Sequence, residues 1–495
     1  MQILSGIIFA LFLIFNSVTV DAQVQVRVKF NEIANLTYQL DCVGDLPVNC
    51  SRGNLGELWK REFLKTNQDR EMLKEWARLR DRYNKTVELT EKNGEKSYLS
   101  MFDKIRIAGF QANSVDDYVS LLDLLTNPSD RLSFERVIRY FQPKFNVWWK
   151  LETVKCGDGF TKQTDVLLRS PKISQQIKQF YNFYSPELPA DYEISFNLFY
   201  IPDFVKESSG GQQLQNYSLM EFKPKEKPEQ RIDVVVHELC HFFFENMKSS
   251  DKARLAQNFY STNRAAAIPA FNLLNETLAA AFGNGMIART VTPKEKFEQY
   301  VAAKQSFYNN DAIDRAAKAS LSMLDRWLEN EKSIADADFV NQYITVLERA
   351  FGEDLIKPKL YLSELFLFVD GDYKSNGSLR RGTRKTLEVA SFYNVEGTFK
   401  EENLAEFRNN ARLNSLFIIH PNNIKELAAN KIISETEANQ IQKEFDAKRE
   451  VLFNKERAPF TYVYIVAAKD VAGAIKMVEK LTNAKQFFGV YKEQI

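Results

Sequence analysis

The feature that most restricts the fold of this chain is the pentapeptide His237-Glu238-Leu239-Cys240-His241, flanked by three valines at 234–236 and three phenylalanines at 242–244. The apolar flanks predict a buried helix, and residues four apart on a helix lie on the same face. Two imidazoles placed in this way can hold one metal ion, with the intervening glutamate beside it. The 495-residue chain has only three histidines, so this spacing is improbable by chance. The sequence therefore predicts a Zn²⁺ site on a helix inside a core.

A catalytic zinc needs a third protein ligand, and with no other histidine nearby a carboxylate is expected. Glu276 is the first candidate, because it is the lone acid in an apolar helical segment at 271–282, where an unpaired carboxylate would be unfavourable. Glu245 is the rival, one turn beyond His241 on the same helix, from where it could not easily complete a tetrahedron. We expect Glu276 to be the third ligand.

The His237–His241 motif, followed by Asn275-Glu276-Thr277-Leu278-Ala279, resembles the gluzincin metallopeptidases, the class of thermolysin and the aminopeptidase N group. Those enzymes carry H-E-x-x-H on one helix and N-E-x-x-[AS] on the next. The resemblance covers residues 217–285 and implies a zincin-like core with one catalytic Zn²⁺. By this resemblance His237, His241 and Glu276 are the metal ligands, and Glu238 is the general base that hydrolyses a peptide or protein substrate. The 34 residues between His241 and Glu276 are more than these families have, so we expect an inserted loop at 248–267.

Residues 217–222 alternate as a β-strand does, and the resemblance implies the edge strand that binds extended peptide in zincins. Met220-Glu221 also resembles part of an exopeptidase motif whose glutamate binds a substrate amine; otherwise Glu221 is an ordinary strand residue. Cys240 is predicted to be a buried, inert thiol. The donor that would stabilise the transition state stays open between four residues: His420, Tyr300, Tyr308 and Tyr343.

The N-terminus predicts export, because the apolar run at 3–15 and the short residues before Gln23 fit a signal peptide cleaved after Ala22. Export permits disulfides, and a local Cys42–Cys50 bridge is expected across a turn-forming stretch. Asn275 begins a glycosylation sequon where a glycan would collide with the site, which favours a secreted or periplasmic bacterial protein. A net charge of +1 argues against a nucleic-acid partner, and no membrane span is expected after signal cleavage.

The patterns predict an α+β, predominantly α-helical protein. A zincin-like catalytic core is expected to be flanked by helical domains and by a small C-terminal α/β domain. A ferredoxin-like arrangement is expected for this C-terminal domain. Gly283 and Gly285 are interpreted as the end of the Glu276 helix. The leading function is a secreted zinc metallopeptidase, and the alternative is a non-catalytic binding or adhesion module on a zincin scaffold. The predicted domains are a signal peptide at 1–22, a mostly helical N-terminal domain at 23–150, a catalytic domain at 151–295, a helical domain at 296–405 and the α/β domain at 406–495.

Overall fold

The structure is a computed structural model that describes residues 25–44, 65–84, 87–92, 95–150, 154–189, 192–201, 203, 210–373, 376–388 and 391–492. The predicted signal peptide and Cys50 lie outside these residues, so cleavage after Ala22 and the Cys42–Cys50 bridge stay predictions. Cys156 and Cys240 are free thiols. Among the described helices, none combines the length and apolar character that crossing a bilayer requires.

The described chain is mostly helical and carries two small mixed sheets and a two-stranded ribbon, which confirms the α+β, predominantly helical class. It divides into two compact units. The first comprises Met1–Tyr181 and Ser185–Ser249, and the second comprises Asn182–Tyr184 and Ser250–Ile495. This division falls inside the range 151–295 that the sequence assigns to one catalytic domain.

The first unit alternates helices with short strands. Its elements in chain order are β1 (Gln25–Lys29), α1 (Glu32–Val43), α2 (Asn67–Asn84), β2 (Val87–Lys92), β3 (Glu95–Ser100), α3 (Met101–Gln111), α4 (Val115–Leu122), α5 (Pro128–Trp148), α6 (Val154–Leu168), α7 (Pro171–Tyr184, whose last three residues belong to the second unit), β4 (Glu193–Tyr200), β5 (Gly211–Leu214), β6 (Tyr217–Phe222), a 3₁₀ turn (Pro228–Gln230) and α8 (Ile232–Glu245).

The four-stranded sheet of the first unit has the order β1-β4-β6-β5. Strands β1, β4 and β6 run parallel, while β5 pairs antiparallel with β6 across a two-residue turn at Gln215 and Asn216. The interpretation of residues 217–222 as the edge strand is therefore wrong, because β6 is paired on both sides and β5 forms the edge. Strand β1 also joins β4, so the predicted N-terminal domain shares its sheet with the region of the motif.

Helix α1 is bonded directly to this sheet by a buried asparagine. The Asn35 side chain donates to the carbonyl of Leu198 at 2.9 Å and accepts from the amide of Tyr200 at 3.2 Å, both on β4. Nearly two turns further along, the Asp41 carboxylate accepts from Arg80 and from the Trp76 indole, each at 2.9 Å. These bonds satisfy polar groups that burial would otherwise make unfavourable, and they fix α1 against its neighbours.

The second unit begins with helices and ends in a sheet. Its elements are α9 (Ser249–Ser261), α10 (Ala267–Ala279), a π-helix (Ala280–Ile287), α11 (Ala288–Val291), α12 (Lys294–Ala302), α13 (Asp311–Glu329), α14 (Ala337–Phe351), a 3₁₀ helix (Gly352–Ile356), α15 (Pro358–Tyr361), β7 (Glu364–Asp370), α16 (Asn376–Leu387), β8 (Ser391–Gly397), α17 (Glu401–Asn409), β9 (Ser415–Ile419), a 3₁₀ turn (Pro421–Asn423), α18 (Ile424–Ala429), α19 (Glu435–Lys448), β10 (Glu450–Ala458), β11 (Thr461–Ala468), α20 (Val471–Asn483) and β12 (Gly489–Val490).

The six-stranded sheet of the second unit has the order β12-β10-β11-β9-β7-β8, and strands β11, β9, β7 and β8 are parallel. Alternate residues of its strands bury against α16 and α20 on one face and against α17, α18 and α19 on the other. A ferredoxin-like arrangement is therefore wrong, because helices cover both faces. The sheet already begins at Glu364, inside the range 296–405 that the sequence interprets as helical.

Two expectations for the segment between the motif helix and its successor are also wrong. Residues 249–261 form helix α9 rather than an inserted loop. Gly285 does not end the Glu276 helix, because the chain continues through the π-helix into α11. A Cβ at Gly285 would lie 2.7 Å from Leu321 Cδ2 and 2.9 Å from Phe307 Cε2, so this glycine permits close packing and is not a cap.

Candidate metal centre

Helix α8 brings the two histidines of the motif together. The Nε2 atoms of His237 and His241 lie 3.1 Å apart, and the two rings are nearly perpendicular, at 81°. The buried, largely apolar helix explains this placement, because the four-residue spacing puts both rings on one face. Two ligands of a tetrahedral Zn²⁺ with bonds of about 2.0 Å are themselves about 3.3 Å apart. The observed separation fits a shared metal ion.

Glu276, which the sequence predicts as the third ligand, lies on α10 in the second unit, whereas both histidines lie in the first. Two imidazole nitrogens and one carboxylate oxygen would be a donor set typical of catalytic zinc, which keeps a further position for water or substrate. Glu245, the rival candidate, is exposed at the end of α8.

Cys240 lies inside the motif, on the same helix as both histidines. Its side chain is fully buried and is not disulfide-bonded. On a helical wheel it points about 80° away from the direction midway between the two histidines. The helix therefore does not direct this thiol at an ion that the histidines would share.

Glu238, the predicted general base, is 7% exposed and lies against the backbone of the edge strand. A Cβ built on Gly211, the first residue of β5, would lie only 2.4 Å from Glu238 Oε1 and 3.0 Å from its Cδ. Only glycine leaves room for the carboxylate at this point. The contact places Glu238, the candidate base, beside β5. One side of β5 pairs with β6, and its other side pairs with no described strand.

Glu221 occupies a different position from the one that its exopeptidase-like motif implies. Glu221 is buried, with 2% of its surface exposed to solvent. Its Oε1 accepts a hydrogen bond from the Tyr38 hydroxyl at 2.7 Å, and its Oε2 accepts from the amide of Gly210 at 2.9 Å. Because both oxygens are bonded within the protein, the side chain is not placed to bind a substrate amine.

The structure gives two of the four candidate transition-state donors structural roles. His420 follows β9 and accepts from the amide of Asn422 through Nδ1, while its own amide donates to Asp370. Tyr343 is fully buried in α14 and stacks on Phe339, and burial raises the pKa of its hydroxyl.

Sequence reasoning missed Gly211, because a Ser-Ser-Gly-Gly stretch such as that at 208–211 is typical of a flexible loop. A signal for β5 does exist. The short segment Gly-Gln-Gln-Leu is separated from β6 by two residues, Gln215 and Asn216. Two-residue connections that contain asparagine are typical of β-hairpins. The positive φ of 54° at Gln215 fits that turn.

Comparisons of the chain with models of known protein families, with curated proteins and with solved structures give no match.

Proposed function

We propose that this protein is a zinc metallopeptidase of the gluzincin type that is exported from the cell and hydrolyses peptide bonds. The observation that carries the proposal is the pair of Nε2 atoms 3.1 Å apart on one face of α8, with Glu238 buried on the same helix. A site with only structural duties would have no need of a base next to its ligands, whereas hydrolysis requires one.

His237, His241 and Glu276 would hold the ion. When bound, zinc supplies Lewis-acid chemistry that polarises a carbonyl and lowers the pKa of a coordinated water to about 7. Glu238 accepts the proton that the attacking water loses and passes it to the leaving amine. One edge of β5 pairs with no described strand and offers backbone donors and acceptors to an extended peptide. This edge supports a peptide as the substrate.

The proposal is tested with Glu238→Gln, which keeps the volume of the side chain but cannot accept a proton. We expect a loss of peptidase activity of about 10²–10⁴-fold in a peptide-library digest, with zinc content and melting temperature unchanged. Glu245→Gln is the matched control, since it changes an exposed glutamate on the same helix and should retain full turnover. Equal turnover in the Glu238→Gln and wild-type proteins would reject the proposal.

The ligand set is tested separately by metal analysis. We expect about one zinc per wild-type chain, lost in His237→Ala and His241→Ala. Glu276→Ala should weaken zinc binding and abolish activity, because it removes one of three protein ligands. Glu245→Ala should keep its zinc. Stoichiometric zinc of wild-type affinity in Glu276→Ala would remove Glu276 from the ligand set.

A further inference from the structure

The edge strand β5 is held from the side opposite to Glu238. Successive side chains of a strand point to opposite faces of the sheet. The Cβ position of Gly211 is directed at Glu238, so the side chain of the next residue, Gln212, points to the other face. Gly210, just before the strand, is bonded through its backbone, and Gln212 is bonded through its side chain, in both cases to buried residues of the first unit.

The first of these attachments is at Gly210. Its amide donates to Glu221 Oε2 at 2.9 Å, and its carbonyl accepts from the amide of Glu221 at 2.9 Å. The Tyr38 hydroxyl, from α1, donates to the other oxygen of the same carboxylate at 2.7 Å. Burial excludes water that would compete for these bonds. Two bonds therefore fix the backbone just before Gly211, and the third holds the Glu221 carboxylate that accepts one of them.

The second attachment is at Gln212. Both terminal nitrogens of Arg106, from α3, donate to Gln212 Oε1 at 3.2 Å, and Arg106 is 6% exposed. The guanidinium also lies 6.0 Å from the centre of the Tyr38 ring. The two attachments are thus neighbours and flank Gly211 on either side.

We propose that Tyr38, Glu221, Arg106 and Gln212, here called the β5 brace, are positioning residues for Glu238. The brace holds the backbone on both sides of Gly211, and the Gly211 backbone in turn limits where the Glu238 carboxylate lies. This assigns a role in catalysis to helices α1 and α3, although neither contributes a residue that touches substrate. The inference rests on the proposed function, since Glu238 must be the base for its position to affect turnover.

Tyr38→Phe tests the proposal, because it removes one hydroxyl from the brace and nothing else. Tyr83→Phe is the matched control, since Tyr83 is also a buried tyrosine of the first unit that donates to a carboxylate, that of Asp130, at 3.0 Å. Glu221→Ala removes the carboxylate that accepts from the Gly210 amide and from Tyr38, and it keeps the backbone bond between the two residues. Glu221→Gln restores an oxygen that can accept from Gly210 and an amide that can donate to the Tyr38 oxygen.

We expect Tyr38→Phe to lower kcat about 10-fold with KM within about twofold of wild type, because a misplaced catalytic group weakens the transition state and leaves ground-state binding intact. Tyr83→Phe should lower the melting temperature by a similar amount and leave kcat unchanged. Glu221→Ala should lose more activity than Tyr38→Phe, and Glu221→Gln should recover most of it. Zinc content should equal that of wild type in all four proteins.

Hydrogen exchange of the whole protein separates failure of the brace from failure of the proposed function. Amides at 210–214 should exchange faster in Tyr38→Phe and Glu221→Ala, and at the wild-type rate in Tyr83→Phe. Unchanged protection, or equal kcat in the two tyrosine variants, would overturn the brace even if the protein is a peptidase. An inactive wild-type protein with the expected exchange pattern would instead reject the peptidase function, and with it the catalytic role of the brace.

Discussion

At the scale of single residues, the contact between Gly211 and Glu238 is the most demanding in the candidate site. The carboxylate occupies the space where any other residue at 211 would carry its Cβ. The φ angle of Gly211 lies outside the left-handed region, so the requirement for glycine comes from space and not from backbone strain.

We predict that Gly211→Ala lowers kcat by about 10–100-fold while the protein stays folded and keeps its zinc. The atom that must move is at the far end of the flexible Glu238 side chain, so the alanine displaces the base and not the core. Steady-state kinetics, with zinc analysis of the same sample, measure this effect.

Gly159→Ala is the control, because a Cβ there meets nothing within 4 Å. Gly159 lies within helix α6, where alanine is favoured over glycine by about 0.5–1 kcal/mol, so the variant should be slightly more stable and fully active. Equal kcat in the two alanine variants would show that Gly211 does not limit the position of Glu238.

The histidines and Glu238 could be predicted from the sequence because their geometry is local. One turn of one helix fixes the relation between His237 and His241, and the helix follows from its apolar flanks. The β5 brace could not be predicted, because it depends on pairings between residues more than 100 positions apart, such as Tyr38 with Glu221 and Arg106 with Gln212. Nothing in the local pattern around Tyr38 specifies its partner.

At the scale of elements, the start of α2 depends on one buried carboxylate. Asp69 accepts from the amides of Lys65 and Thr66 at 2.9 and 2.7 Å, and its own amide donates to the Thr66 hydroxyl at 3.1 Å. Lys144 and the Tyr140 hydroxyl, both from α5, also donate to it. Burial alone would raise the pKa of Asp69, but these hydrogen bonds outweigh it and hold the pKa well below its ordinary value.

We predict that Asp69→Asn destabilises the protein by at least about 1 kcal/mol at pH 7, and that this difference shrinks as the pH falls. A carboxyl whose pKa is lowered by folding stabilises the protein above its unfolded pKa of about 3.9. That contribution begins to decrease near the unfolded pKa and is lost as the pH falls through the pKa of Asp69 in the folded protein. The difference in stability between the wild type and Asp69→Asn should therefore start to shrink below a pH of about 4. Urea unfolding between pH 7 and pH 3 measures the difference.

The exposed Asp311, in the first turn of α13, supplies a control. Asp311→Asn should follow the wild-type pH dependence throughout. A destabilisation by Asp69→Asn that is the same at pH 3 and pH 7 would show that the charge of Asp69 does not stabilise α2.

Strands with a distinctive local pattern could be predicted, and strands without one could not. The alternation and aromatic content of residues 192–200 and 217–222 predict strands, and these segments contain β4 and β6. Strand β7, Glu-Leu-Phe-Leu-Phe-Val-Asp, is apolar almost throughout, as a parallel strand buried on both faces must be. An uninterrupted apolar run is shared by buried helices and buried strands, so periodicity cannot separate them.

At the scale of the whole molecule, bound zinc should raise thermal stability, because a ligand that binds only the folded state adds to the free energy of unfolding. We predict that zinc added to chelator-treated protein raises the melting temperature, with about 2.7 kcal/mol gained when free zinc is about 100 times its Kd. His241→Ala should not respond. Thermal unfolding with and without zinc measures the shift.

The third histidine of the chain provides the control for this titration. His420→Asn keeps an acceptor where His420 Nδ1 now receives the amide of Asn422, so the fold should survive. The variant should respond to zinc as the wild type does, because His420 is not one of the proposed zinc ligands. If His420→Asn lost the zinc response and His241→Ala kept it, the zinc site would have to be assigned to another part of the chain.

The class of the molecule could be predicted from the sequence, whereas its division into units could not. Sparse glycine and proline and repeated 3–4 spacing indicate helices wherever they occur. The break between α8 and α9 carries no such signal, because both sides of it are helical in pattern. Compact units arise from contacts between distant segments, which periodicity does not report.

The π-helix at Ala280–Ile287 affects how a deletion would act on the helices around it. A turn closed by bonds five residues apart contains one residue more than an α-helical turn, and the chain runs from α10 through this segment into α11 without a break. Deleting one residue there would allow bonds of α-helical spacing to replace the wider ones. The same deletion in the middle of α13 would rotate everything beyond it by about 100° and expose its apolar face. We therefore expect the second unit to lose less stability from a deletion in the π-helix than from one in α13.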